Sequence, residues 1–540
     1  MVDRTAEPGG ARARRTGRTG RAVAWFIGGR WLSMGAVVVA LTVVGASLGG
    51  ALTPQRANAQ DAPKAGGTMT AAIGADPVNL DPHLSSAYST FQVLENVYNQ
   101  LVGLDDELQL VPELAEEWSV SEDKLTYTFT LRQGVQFHNG RELTADDVVF
   151  SYERIRNPDT KSGWAYLFDP IDTIEAPDPR TVTITTKEIY APLLTKLASS
   201  GTAIVPREAA EAGTLEAAPV GTGPFVFVEF VPADHLTVKR NDSYWENGLP
   251  YLDEIIFKPI PDESVKQTNL ETQNVDWADG VPAKDANDLM ESDDVVVESI
   301  AGTAYTYMGV NTAREPLNDK RVRQAISYAL DREEVAAIAL YDLAVPSQNA
   351  IPEGNFWRSD YAPYDRDLDK AQQLLDEAGV GDGFELELMP AKDYVETVRS
   401  AEAAQAQLAD VGIDVTLRPL EWSTWLDEEG QGNFDIYICG WIGMVDPDDY
   451  FYAQHRTDQI FNFTGYSNPE LDELLDQGRT SLDDEERKKV YEQIQQILID
   501  DLPYIFLFTT ANVDAWQPYV QGYAVRPDSA VIFKDVWLDK

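Results

Sequence analysis

The sequence predicts a mixed α/β fold, from three observations. Residues 125–132 alternate, with Leu125, Tyr127, Phe129 and Leu131 on one face and Thr126, Thr128, Thr130 and Arg132 on the other, the period-two pattern of a half-buried strand. Residues 320–330 place Val322, Ala325, Ile326, Ala329 and Leu330 at helical spacing. Segments of the two kinds interleave along the body of the chain, as helices packed on sheets require.

After the strand at 125–132, Gly134 and Asn139-Gly140 mark turns. Thr144 then reads as the N-cap of a helix, with Asp146 and Asp147 in its first turn and Val148, Val149, Tyr152 and Ile155 on its buried stripe. Further strands fit 181–186, 224–231, 235–240, 253–259, 384–389, 413–418 and 434–439; in 384–389, Phe384, Leu386 and Leu388 point inward. A helix fits 367–378, with Leu368, Ala371, Leu374 and Leu375 buried and Gly379 as its stop. Asn468-Pro469 opens another as N-cap and first residue, burying Leu471, Leu474 and Leu475, and a helix around 484–500 follows.

At 540 residues the chain has room for about three domains. Its apolar fraction of 44% supports a large core. The single cysteine, Cys439, excludes an internal disulfide and any Cys-rich zinc site. The four histidines, His83, His138, His235 and His455, do not have the spacing of a helical metal motif. The net charge of −46 lies in the body, because residues 1–59 carry eight Arg against Asp3 and Glu7. So acidic a body repels nucleic acid and anionic lipid headgroups. It reads as a solvated surface.

Arg12, Arg14, Arg15, Arg18, Arg21 and Arg30 precede an apolar run from Gly35 to Leu52, and Ala57-Asn58-Ala59 follows. Basic, apolar, then small-x-small is the layout of a secretory signal, cleaved after Ala59 or kept as an N-terminal anchor. No cysteine lies near that boundary, which excludes acylation there, and twin-Arg export is only weakly signalled. Residues 60–66 read as a linker. The body is therefore expected outside the cytoplasm, in the periplasm or on the outer face of the membrane.

Five stretches carry a family resemblance. The first runs from Leu80-Asp81-Pro82-His83 to Pro112-Glu113-Leu114-Ala115-Glu116-Glu117-Trp118, and the second from Leu125 to His138 and on through Leu143-Thr144-Ala145-Asp146-Asp147. The third is Gly221-Thr222-Gly223-Pro224-Phe225 with Tyr244-Trp245, the fourth Asn311 with Pro316-Leu317-Asn318-Asp319-Lys320-Arg321-Val322-Arg323, and the fifth Gly465-Tyr466-Ser467-Asn468-Pro469. In this order the chain resembles the family 5, peptide/nickel-type, solute-binding proteins of bacterial ABC importers. The third stretch is no phosphate loop, since position 226 is Val and no Lys-Ser/Thr follows. Arg321 and Arg323 read as solvating their helix.

The resemblance implies a two-lobed periplasmic-binding-protein clam-shell with an extra domain inserted in the first lobe. Lobe I would comprise 67–100, 221–310 and 505–540, the insert 101–220, and lobe II 311–504, with hinges near Asn311 and Leu502-Pro503. A small solute, peptide as first guess, would bind between the lobes and pass to membrane permease subunits of an ABC importer. A monomer is the default for the architecture, and no cofactor or metal is implied.

In family members a lobe II strand ends in Gly-Trp beside the solute, here Gly440-Trp441 with Gly443 following. Glycines there let another backbone approach; a plain turn is the alternative. Peptide-binding members place an Asp three residues after this Trp to pair with the ligand amine, and here that position is Met444. Asp446 and Asp448 stand as substitutes, or cap the turn around Pro447. Tyr305, Tyr307, Trp357, Trp422 and Trp425 are aromatic candidates for cleft wall or for core. Ser85, Ser86 and Tyr88 lie in a loop that family members turn toward ligand, or are ordinary loop residues.

Three other readings remain at this level. A hydrolase lacks support, with no Gly-x-Ser-x-Gly, no His-Glu-x-x-His and no carboxylate pair that stands out. A sensing module uses the same clam-shell as transport. Sugars or other organic solutes compete with peptide, whereas so few histidines leave nickel only as a chelate.

Overall fold

The computed structural model describes residues 62–392, 394–443 and 445–540. The basic and apolar N-terminal run, the start of the expected linker and Met444 lie outside the described residues.

The alternating segment folds as the strand Thr126–Leu131, with Tyr127, Phe129 and Leu131 buried. It pairs antiparallel with Ala115–Val120 and Thr181–Thr186, and Ile171–Asp178 completes a four-stranded sheet. Helix Ala145–Arg156 covers this sheet with Val148, Tyr152 and Ile155, while Val149 stays half-buried. Its start is fixed reciprocally: the Thr144 N–H donates to Asp147 Oδ2 at 3.0 Å, which satisfies a group the helix cannot. The core of this sheet takes in residues from Leu101 to Ile204.

Apart from two short two-stranded pairs, the remaining strands form one eleven-stranded sheet. Its order is Ile413–Leu417, Phe384–Pro390, Ile436–Ile442, Val296–Val310, Tyr504–Trp516, Trp277–Ala278, Thr68–Ile73, Glu254–Pro259, His235–Arg240 and Phe225–Val231, with Ala344–Pro346 also on Tyr504–Trp516. Parallel pairs occur toward both ends, Phe384–Pro390 with both its neighbours and Thr68–Ile73 with both of its own. Parallel neighbours need crossovers. Helix Val395–Leu408 supplies one, between Phe384–Pro390 and Ile413–Leu417.

Two strands, Val296–Val310 and Tyr504–Trp516, run through the whole arrangement. Their outer halves pair Val296–Ala301 with Ala511–Trp516, and their inner halves pair Tyr305–Gly309 with Tyr504–Thr509. The register breaks between Ala301 and Tyr305. The outer halves pack with the cores around Met69, Trp277 and Phe533, or Leu270 and Ala515, and the inner halves with those around Ile326 and Ile438, or Tyr437 and Tyr491.

Asn311 and Leu502-Pro503 sit at the far ends of the long strands, tied down by Asn311 N–H to Asp435 O at 2.9 Å and Val310 N–H to Pro503 O at 2.9 Å. The change from one set of cores to the other falls at the bulge. Residues 305–310 and 505–509 accordingly pack with the second half, because a continuous strand carries its side chains past the domain border. Arg323 departs from the sequence reading. It is buried at the start of helix Lys320–Ala329 and donates to the carbonyls of Asp501 at 2.7 Å and Leu317 at 2.8 Å, while Arg321 remains exposed on Asp319.

Candidate solute-binding cleft

The strand Ile436–Ile442 has two neighbours for only part of its length. Val296–Val310 pairs with Ile436–Ile442 throughout, but Phe384–Pro390 reaches only Ile438. Beyond Pro390 the chain swings away to Leu420, whose N–H donates to Pro390 O at 3.1 Å. Gly443 N–H donates to Thr303 O, so in an antiparallel ladder Trp441 and Gly443 face the long strand. The N–H and C=O groups of Gly440 and Ile442 then point to the other edge, where no described strand pairs with them.

This edge is apolar and accessible. Ile442 is 52% exposed. Trp441 is half-buried, its ring edge-on to Phe461 at 5.0 Å. A Cβ on Gly440 would meet only Tyr305 O, at 3.8 Å, and Thr306 Oγ1, at 4.0 Å, so nothing crowds this position. Gly443 has a different reason to be glycine. A Cβ there would overlap the Tyr450 ring at 2.0 Å, so its missing side chain admits Tyr450 and not a solute backbone. Trp422 is half-buried, edge-on to Tyr394 and stacked on Trp425, each at 5.0 Å.

The other candidate aromatics divide. Tyr305, Tyr307 and Trp425 are buried in the aromatic core behind this strand. Tyr307 stacks on Tyr504 at 3.9 Å, and Trp425 Nε1 donates to Met389 O at 3.0 Å. Period two left their face undecided; the fold turns it inward. Trp357 is half-buried beneath the Arg487 guanidinium, 5.0 Å away.

Asp446 and Asp448 are already occupied. Asp446 pairs with Arg487 at 2.6 Å and accepts the Asp448 N–H at 3.0 Å, so it caps the turn and neutralises a buried cation together. Asp448 lies 3.0 Å from Arg479 Nε, without hydrogen-bond alignment. Lys196, on helix Leu193–Leu197, is ion-paired with Asp449. Ala191 N–H donates to Arg479 O at 2.8 Å, and Arg479 lies over the Tyr190 ring at 5.0 Å. Burial lowers the Lys196 pKa, against the pull of Asp448 and Asp446. This cluster joins the 190–196 segment to the 446–487 segment. Sequence could not pair these groups, because the partners lie tens to hundreds of residues apart.

On the opposite side, Tyr88 opens helix Tyr88–Leu94 and is 37% exposed, near the carboxylates of Asp514, Asp279 and Glu95. Ser86 is exposed. Ser85 is buried and structural, its carbonyl accepting Trp164 Nε1–H at 3.0 Å.

Comparison with known proteins assigns this architecture. The profile of the bacterial extracellular solute-binding proteins, family 5 Middle, matches residues 109–463. The chain is a family 5 extracellular solute-binding protein. This solute-binding protein is 30% identical over 476 residues to the glutathione-binding protein GsiB of Pectobacterium atrosepticum, covering 86% of this chain and 93% of that one. Its fold matches DppA of Helicobacter pylori in complex with the peptide STSA, with a TM-score of 0.75 and 28% identity over 88% of this chain and 99% of that one. It also matches AgaA of A. tumefaciens R10 in complex with agropinic acid, with a TM-score of 0.74 and 30% identity over 88% and 99%. The fold is thus the two-lobed clam-shell of periplasmic binding proteins. The solute-binding protein captures a small solute between its lobes and delivers it to the permease of an ABC importer. The family consists of binding proteins and is not an enzyme family. Among the described residues no helix is long and apolar enough to cross a membrane.

Proposed function

We propose that the solute is a short peptide, held extended along the open edge at Gly440–Ile442 as an added strand. The carrying observation is that edge: main-chain groups that no described strand pairs with, beside Trp441 and an exposed Ile442. An extended peptide satisfies such groups with its own backbone, and side-chain pockets on alternate positions then select it. The similarity to a peptide-bound DppA and to GsiB supports this reading. Trp422, Trp441, Ser86 and Tyr88 are the contacts we infer from the earlier candidates. Tyr305, Tyr307, Trp425, Asp446 and Asp448 serve the scaffold.

Core membership supports a first lobe of 67–100, 205–301 and 511–540, an insert of 101–204, and a second lobe of 305–509, hinged at the bulge. The protein acts as a monomer without catalysis, exported by its N-terminal signal. Closure follows population shift: solute favours the closed form, and the closed form engages the permease.

The second reading is a small non-peptide organic acid. Met444 favours it, standing where peptide binders carry an amine-pairing Asp, as does the likeness to AgaA.

The deciding experiment uses Ile442→Pro with thermal-shift titrations of alanine peptides and of agropinic acid. Proline removes only the N–H that faces the open edge, a substitution edges tolerate. The expected result is an unchanged melting temperature without solute and roughly tenfold weaker peptide binding, about 1.4 kcal/mol. Undiminished peptide binding by Ile442→Pro overturns the added-strand reading. Stabilisation by agropinic acid alone installs the second.

A further inference from the structure

Beside the long strands, the first half of the molecule carries more carboxylate than cation. Asp514 lies directly opposite Glu298 in the paired strands. Like charges facing each other across a sheet repel, because directly opposed side chains stand only about 5 Å apart. Asp279, just past Trp277–Ala278, is fully engaged by Lys266 Nζ at 2.6 Å, Gly74 N–H at 2.7 Å and Gln92 Nε2 at 3.0 Å. Among the described residues Asp514 accepts only the Tyr523 hydroxyl, at 2.6 Å. Among the described residues no Lys, Arg or His is ion-paired with it.

A second observation is independent of charge. Gln92 is 1% exposed, and its Nε2 is spent on Asp279. Its Oε1 is buried with no donor among the described residues. Folded proteins pair buried amide oxygens almost without exception, so one left over beside a cleft calls for an incoming N–H. Tyr88 stands one turn before Gln92 on helix Tyr88–Leu94, and Asp279, which Gln92 holds, follows Ala278, the residue opposite Ala515 and so beside Asp514.

We propose that Asp514, Gln92 Oε1 and the Tyr88 hydroxyl form a subsite for a cationic nitrogen, the α-ammonium of a captured peptide. The identification of the cation as a peptide terminus rests on the peptide reading above. An ammonium has three N–H donors, and the subsite offers three acceptors of different kinds: a carboxylate, an amide oxygen and a phenol oxygen. The charge recognition that Met444 cannot supply from the second lobe is thereby supplied from the first. Burial pushes the Asp514 carboxyl up to about 7, as expected of an acid lacking its counter-charge.

The test compares the full chain with Asp514→Asn and Tyr88→Phe. Each is titrated with di-, tri- and tetra-alanine, with their N-acetylated forms, and with putrescine. Asp514→Asn keeps the size and the Tyr523 contact, and the melting temperature of each variant without ligand reports its folding. Wild type is expected to prefer free over acetylated peptide by at least tenfold. Asp514→Asn should erase that preference without weakening the acetylated forms, and Tyr88→Phe should reduce it. Equal wild-type binding of both forms, or a preference that survives Asp514→Asn, overturns the subsite while the peptide reading stands. If no peptide binds, the peptide reading falls. Putrescine binding that is lost in Asp514→Asn then upholds the cation subsite, and its absence overturns that too.

Discussion

Arg487 and Asp446 are ion-paired at 2.6 Å with 3% of each side chain exposed. The pair sits where the turn after Gly443 meets helix Asp484–Asp501, and it accounts for a carboxylate that family likeness had offered to the solute. Removing one partner leaves an uncompensated buried charge, which typically destabilises by about 3–5 kcal/mol. Asp446→Ala and Arg487→Ala should each lower the unfolding free energy extrapolated from urea titrations by that much, and the double variant by less than their sum. Full stability in either single variant would contradict the pairing.

Tyr305 provides the converse case. Its hydroxyl is buried without a partner among the described residues behind the cleft strand, its ring stacked near Tyr450 and edge-on to Phe506. Tyr305→Phe removes an unsatisfied group, so stability should hold or rise by about 1 kcal/mol. Tyr305→Ala leaves a cavity costing about 3–5 kcal/mol. Solute affinity should be the same in wild type and Tyr305→Phe; a clear loss would return Tyr305 to the cleft.

Buried titratable groups shape stability on both sides of neutrality. Burial lowers His83 and His138 to about 4 and His455 to about 3. Their unfolded forms bind more protons, so this contribution is present above about 6.5 and is lost as pH falls toward 4. Burial raises Glu95 to about 8 and Glu113 to about 7, alongside Asp514. Here the folded form binds more protons, so stability present below the unfolded values is lost as pH rises through 7 and 8. The melting temperature should be highest between about pH 4.5 and 6.5, where the two opposed slopes overlap, and fall on either side. Glu95→Gln keeps an oxygen for the Val531 N–H, can donate its NH2 to the Ser200 hydroxyl, which then accepts, and should flatten the alkaline side. An unchanged alkaline slope would refute the assignment.

Lys196 ties the Leu193–Leu197 helix to Asp449 across the two segments that flank the cleft. Lys196→Met removes that tie and should leave more of the solute-free protein open, raising its radius of gyration in small-angle scattering. Solute affinity should fall in proportion to the lost closed population. Identical scattering from both proteins would show that this contact does not hold the cleft shut.

Much of the fold was legible before any coordinates. Helix Pro469–Gly478 is capped by Asn468 Oδ1, which accepts the Glu470 and Leu471 N–H groups, and helix Leu368–Ala378 stops at Gly379 with φ of +82°. Both signals are local, a cap and a left-handed glycine, and local chemistry reads directly from neighbouring letters. The long strands were not legible, because residues 305–310 are buried on both faces and lose the alternation that marks a strand. The site was legible only where family likeness reached it. Gly440-Trp441 lies on the open edge, whereas Arg487, Arg479, Lys196 and Asp514 owe their places to contacts between distant segments. Arg323 failed for the same reason: its carbonyl acceptor at Asp501 is far along the chain.

The bulge between Ala301 and Tyr305 interrupts one long strand while its partner, Tyr504–Trp516, runs on past it. A protease cut at Gly302–Thr303 would therefore yield two pieces that are each unfinished. The leading piece would lack the Tyr504–Trp516 strand, whose outer half lies between its Trp277–Ala278 strand and its residues 296–301, and in the trailing piece that outer half would stand unpaired while the inner half kept its partners. Each fragment holds what the other needs to close its sheet, so the nicked protein should remain a single particle until denaturant separates it. The two halves are better regarded as one interlocked sheet with a crease than as two domains on a tether.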